Sequence, residues 1–169
     1  MRILSAVGIL LLGLMTLALG GSPGTPKKED VPKYLGMLKN GPNAKDRALG
    51  AEMLGKRGAI SAADVAQAMD PLKTALQKDK DFSVRKAAAE ALGNIGVEAE
   101  SVVPLLMDAL KEKNTPLKLG AITALGQYRG EAKDALPALR EIAQDKTDKT
   151  KMLSKAAVNA INAISGKKK

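Results

Sequence analysis

The sequence predicts an all-α fold, a right-handed α-solenoid of about four helical hairpins, on three observations. One short pattern recurs: DRALGAEMLGKRG from Asp46, FSVRKAAAEALGNIG from Phe82, TPLKLGAITALGQYRG from Thr115 and LSKAAVNAINAISG from Leu153. Its anchors Leu54, Leu92, Leu125 and Ile161 are 38, 33 and 36 residues apart, a period that marks units able to bury an apolar face only by stacking on their neighbours. Prolines recur in step with it, at Pro32, Pro71, Pro104 and Pro137, and so do polar turn residues, at Asn43, Asp81, Asn114 and Thr150.

The elements follow in chain order. Residues 1–20 hold Arg2 and then an apolar, uncharged run from Ile3 to Leu19, with Ala18 and Gly20 spaced as a small-residue cleavage site. This reads as a secretory signal peptide, or as an N-terminal membrane anchor at the short end of a span if it is not cleaved. Either outcome places the chain outside the cytoplasm, periplasmic or extracellular, and a lipid anchor is excluded by the lack of cysteine. Residues 21–30, GSPGTPKKED, form a flexible polar linker. Residues 31–166 form the repeat domain, and 167–169 a basic tail.

Each unit is a helix A opened by proline, whose missing N–H costs nothing in a first turn, followed by an alanine-rich helix B. The A segments are expected over 31–39, 64–78, 101–113 and 131–143, and the B segments over 45–57, 84–96, 117–129 and 151–164. Four residues before each anchor lies Gly50, Ala88, Ala121 or Ala157, small enough for helices to approach closely. With Val84, Ala88, Leu92 and Ile95 the second B helix has an apolar stripe at helical spacing. Asp46 and Arg57 interrupt the equivalent stripe in the first unit, as expected of a terminal repeat facing water. Asn43, Asp81, Asn114 and Thr150 should cap the B helices, and Gly58, Gly96, Gly130 and Gly166 should end them in the left-handed conformation.

The phrase VRKAAAEALGNIG, preceded by Asp81 and followed by a proline-started helix, resembles the HEAT repeat, in particular the short variety of bilin-lyase proteins. The resemblance is specific over residues 79–143. It implies an α-solenoid and a protein-binding role, with a lyase-like or enzyme-accessory role as a further reading. It also implies that the arginine after the B-helix valine, here Arg85, pairs with the capping residue of a neighbouring turn, with Asn43, Asp81 and Asn114 as acceptors.

Composition argues against enzymology. The chain has no cysteine and no histidine, so thiol and imidazole nucleophiles, the usual general base and the usual zinc ligands are absent. Asp79 and Asp81 lack the glycine and terminal glutamate of a calcium loop; Asp81 reads as a cap and Asp79 as a solvated turn charge. The glycines of ALGNIG and ALGQYRG follow helices, not strands, and read as packing and capping glycines. One phenylalanine and two tyrosines leave few platforms for a sugar or for stacked bases. No catalytic residue, metal ligand or cofactor is expected.

Charge is the remaining signal. The formal net charge is +9, with 27 basic and 18 acidic residues. The B segments hold ten Lys/Arg against three Asp/Glu, the A segments eight against seven. Second helices line the concave side of such a solenoid, so a basic strip there would attract an acidic partner. Arg47, Arg85 and Lys118 share one register, ended by Ser154, with Lys86 and Lys155 beside it. The expected function is an exported, monomeric, non-catalytic scaffold that holds a protein partner with an acidic surface on this strip. The alternative is a polyanion or nucleic-acid binder, and membrane contact is expected only through an uncleaved N-terminal segment.

Overall fold

The computed structural model describes residues 24–148 and 150–166. The expected signal peptide 1–20, residues 21–23 of the expected linker, residue 149 and the expected tail 167–169 lie outside the described residues. Eight α-helices follow one another as four antiparallel pairs: α1 (Val31–Asn40) with α2 (Ala44–Gly58), α3 (Met69–Lys78) with α4 (Phe82–Ile95), α5 (Ala99–Leu110) with α6 (Thr115–Tyr128), and α7 (Leu136–Gln144) with α8 (Met152–Ile164). Among the described residues there is no strand. The even-numbered B helices stack directly on one another, α2 on α4 on α6 on α8, whereas the A helices touch each other sparsely.

Small residues explain the difference. Gly55, Gly93 and Gly126 each follow an anchor and lie against Ala91, Ala124 and Ala160 of the next B helix. A Cβ on Gly55 would stand 2.6 Å from the Cα of Ala91, one on Gly93 2.6 Å from that of Ala124, and one on Gly126 3.2 Å from that of Ala160. Backbone therefore meets backbone along one seam. No such seam joins the A helices, which leaves open grooves between them of about 510 Å³ beside α1 and α3 and about 770 Å³ beside α5 and α7.

The apolar stripe is buried as its spacing predicts: Val84, Ala88 and Leu92 are fully enclosed and Ile95 nearly so. Leu117, Ala121, Leu125 and Tyr128 repeat the arrangement in α6. The Tyr128 hydroxyl donates to the Val97 carbonyl at 2.8 Å, with the Leu92 carbonyl 3.1 Å away, which ties the turn after α4 to the next unit. Burial raises its pKa above the ordinary phenol value.

Several local expectations are corrected. Proline opens α1 and α7 at the second position, but Pro71 is the third residue of α3 and Pro104 lies inside α5. In the second and fourth units a 3₁₀ segment, Ala62–Ala68 or Arg129–Ala135, leads into the α-helix close to the proline. Gly96 and Gly166 take positive φ, 67° and 68°. Gly58 does not; it remains helical and is pressed against Ile95 and Val65, where no side chain would fit. Gly130 does not either, because Arg129 turns the chain with φ 50°. The side chains of Asn43, Asp81 and Asn114 accept from Asp46, Ser83 and Leu117 N–H as caps. At α8 the load is shared: Thr150 Oγ1 accepts from Met152 N–H at 3.3 Å and Asp148 from Ser154 N–H at 3.0 Å.

The first unit is closed by ions. Asp46 stays at the surface and accepts from the Asn43 amide at 2.8 Å. Arg57 does not face open water: it pairs with Asp64, which also receives Lys28 at 3.1 Å. The expected linker is accordingly shorter, since Pro26 is buried and Lys28–Asp30 form a 3₁₀ turn against the domain.

Candidate functional site

The basic register sits where A–B turns of successive units meet. Arg47, in the first turns of α2, reaches across to the next unit: its Nε and Nη2 donate to Asp79 at 2.7 and 3.0 Å, and its Nη1 to the Gly41 carbonyl at 3.2 Å. Both side chains of this pair are 11 % exposed. Arg85 repeats the geometry one unit on, with Nε on the Leu76 carbonyl at 2.9 Å and Nη2 on Glu112 at 2.8 Å. Its guanidinium also lies 5.4 Å from the Phe82 ring centroid. Each arginine thus binds a carbonyl of its own unit, from the turn or from the last turn of helix A, together with an acid in the following turn. Planar, bidentate geometry suits that double task.

The resemblance placed the acceptor at the capping residue. The structure places it two residues earlier, at Asp79 and Glu112, because Asp81 and Asn114 already accept from their own helix N-termini. Asp79 is therefore a bridging carboxylate and not a solvated turn charge. The Arg47 hydrogen bond holds its carboxyl below the ordinary range, against a smaller opposing effect of burial, and the same contact raises the Arg47 guanidinium. The repeated K-D-K-D and K-E-K-N turns at Lys78 and Lys111 were the available signal in the sequence.

Lys118 continues the register without an ion pair within 4.0 Å; it borders the groove that also holds Asp145. Ser154 ends it, with its hydroxyl 3.4 Å from the Ile142 carbonyl. Lys86 pairs with Glu90 at 3.0 Å on its own helix, and Lys56 likewise with Glu52 at 2.6 Å; such exposed pairs contribute little stability. Lys155 is exposed. Five of the ten B-segment cations, Arg47, Lys56, Arg57, Arg85 and Lys86, are therefore matched by carboxylates.

The middle of the B-helix face is consequently polar. Between α6 and α8 it opens into a groove of about 290 Å³ lined by Thr123, Gln127, Ala156, Asn159 and Ala163 over Gly126. Gln127 Nε2 donates to Asn94 Oδ1 at 2.7 Å, which joins two units by a side-chain amide pair. Among the described residues no group of three carboxylates is placed to hold a metal ion.

Acid should loosen this construction. Asp79 is lowered by Arg47, Asp64 by Arg57 and then Lys28, Asp81 and Asp145 by the hydroxyls of Ser83 and Thr147, and Asp148 by Ser154 N–H. A carboxyl whose pKa is lower in the folded state stabilises fully above its unfolded value of about 3.9 and loses that contribution as pH falls through the folded value. Thermal melts should be nearly flat from pH ~8 to ~5, since no histidine titrates there, and fall below pH ~4. Asp79→Asn should be less stable at neutral pH and show a smaller acid drop. An equal drop in both proteins would remove the Arg47–Asp79 pair from this account.

A sequence model of HEAT repeats matches residues 31–117 and again 70–162. The chain belongs to the HEAT-repeat family. No curated protein sequence matches it. Among solved structures it is similar to the crystal structure of an engineered protein, a structural-genomics target, at 21 % identity and TM-score 0.65. That similarity covers 80 % of this chain and 62 % of the other, and it concerns the fold. In this HEAT-repeat chain Arg47 and Arg85 are struts between successive turns.

Proposed function

We propose that this HEAT-repeat chain is an exported, non-catalytic interaction scaffold that holds a protein partner on its concave B-helix face. The observation that carries the reading is the groove between α6 and α8, where Thr123, Gln127 and Asn159 offer hydrogen bonds above small residues that let a partner's backbone come close. Among the described residues Lys155 and Lys118 have no ion partner within 4.0 Å, and they favour an acidic surface on that partner. Arg47 and Arg85 take no direct part, because both are committed to the turns. The apolar run 3–19 supports export.

Affinity capture from envelope extracts with the wild-type chain and with Gln127→Arg/Asn159→Arg tests this. The expected result is a discrete partner that the double variant loses at unchanged helical circular dichroism, with bait that by intact mass lacks residues 1–20. Equal capture by both baits would overturn the concave-face assignment, and an intact Met1 in a soluble cytoplasmic fraction would overturn export.

A further inference from the structure

The four A–B turns lie side by side along one edge of the stack, and the B–A turns along the other. The two edges differ in charge. Residues 39–45, 78–81, 111–114 and 145–151 hold nine lysines against five carboxylates, whereas 59–64, 96–100 and 129–134 hold two cations against five carboxylates. The carboxylates of the first edge are engaged within the protein: Asp79 by Arg47, Glu112 by Arg85, and Asp81, Asp145 and Asp148 by hydroxyls and N–H groups of their own turns. Among the described lysines of this edge only Lys111 forms an ion pair, with Asp108 of α5 at 2.7 Å. Lys78 and Lys80 flank Asp79, Lys111 and Lys113 flank Glu112, and Lys146 follows Asp145; all five are exposed. The second and third turns therefore direct an acid into the stack and lysines out of it.

Stability accounts for only some of the lysines: Lys39 and Lys78 sit in the last turns of α1 and α3, where the helix dipole favours a cation, and Lys111 pairs with Asp108. Lys45 lies in the first turn of α2, where the helix dipole disfavours a cation. Lys80, Lys113 and Lys146 form no ion pair within 4.0 Å among the described residues. Two large apolar side chains share the edge, Phe82 at the start of α4 and Met152 at the start of α8, 42 % and 48 % exposed.

We propose that this edge is a docking surface for an anionic lipid bilayer, on which the four turns lie with their lysines at the headgroups and with Phe82 and Met152 reaching the apolar boundary. The charge matches a planar anionic surface and is opposite to that of the far edge, so the field of the molecule orients it edge-on. Lysine stems can lie along apolar matter while their ammonium groups stay wet. Exposed phenylalanine and methionine gain from a bilayer and gain nothing from a hydrated soluble polyanion, and this favours lipid over an anionic polymer. The proposal is independent of the concave-face reading, and its variants leave Gln127 and Asn159 untouched.

The test is co-sedimentation with vesicles of phosphatidylcholine alone and of phosphatidylcholine with phosphatidylglycerol, using the chain from Gly21. Wild type should bind only the anionic vesicles, and less as salt rises. Lys80→Gln/Lys113→Gln/Lys146→Gln should weaken binding by about a hundredfold, near fivefold for each lysine at the surface. A control of equal charge change away from the edge, Lys33→Gln/Lys133→Gln/Arg140→Gln, should change it by less than about fivefold, one lysine's share. Because the chain has no tryptophan, Phe82→Trp adds a single reporter whose emission should shift to the blue on anionic vesicles, while Ile60→Trp on the far edge should not shift. No binding to anionic vesicles, equal losses in the two triple variants, or binding to soluble polyphosphate with no blue shift at position 82 would each overturn the proposal.

Discussion

Gly93→Val is expected to destabilise the protein by about 3 kcal/mol, at the upper end of overpacking costs. Gly93 is buried in the middle of α4, and the first atom added to it would stand 2.6 Å from the Cα and 2.7 Å from the Cβ of Ala124, with the Gln127 amide on its other side. Two helix backbones cannot part by the missing ångström without opening the seam that the next unit continues, so relaxation is limited. Helix propensity argues the opposite way, since glycine is about 1 kcal/mol worse than alanine in a helix interior. Gly36 in α1 isolates that term: nothing lies within 4 Å of its added Cβ, and Gly36→Ala should raise stability by about 0.5–1 kcal/mol. Urea titrations of Gly93→Val, Gly93→Ala and Gly36→Ala read both effects. A stabilised Gly93→Ala would show that the seam has slack and that close backbone approach does not limit the side chain at this position.

Leu92→Ala should cost about 3–4 kcal/mol, within the range for a fully buried leucine that leaves a cavity. Leu92 is 0 % exposed and sits in the second of four units, where α4 packs on both α2 and α6. In a stacked array stability is close to a sum of unit and neighbour contributions, so a weakened second unit separates the first from the last two. Loss of a single cooperative transition, or a reduced denaturant slope, is expected alongside the lower midpoint. Ile161→Ala, the equivalent change in the last unit, should cost less because Ile161 is only half-buried and α8 has a neighbour on one side. Equal costs at the two positions would mean that unit position does not matter, contrary to a nearest-neighbour account.

Much of the architecture was legible because period and residue type are local properties repeated four times. Val84, Ala88, Leu92 and Ile95 announce a buried helical face wherever it packs, and Asn43, Asp81 and Asn114 announce caps because a cap is satisfied within three residues. The failures share a cause. Gly58 and Gly130 resemble caps by position, yet whether a glycine must turn or must merely be small depends on what faces it, here Ile95 in one case and the left-handed Arg129 in the other. The pairing of Arg85 was expected but its acceptor was misplaced, and Arg47 read as part of a basic strip, because their acceptors lie 27 and 32 residues away.

The sequence by itself determined the helices, their pairing into units and the excess of positive charge, since each follows from spacing and composition. Tertiary structure alone decided where that charge is effective. Stacking the B helices through the Gly–Ala seam brings Arg47 and Arg85 within reach of the next turn's carboxylate, and that contact neutralises two members of the basic register. The same stacking lines up the turns, so lysines scattered along the chain become one edge. Charge adds along a surface and not along a sequence, which is why the face a partner meets could be read only after the units were stacked.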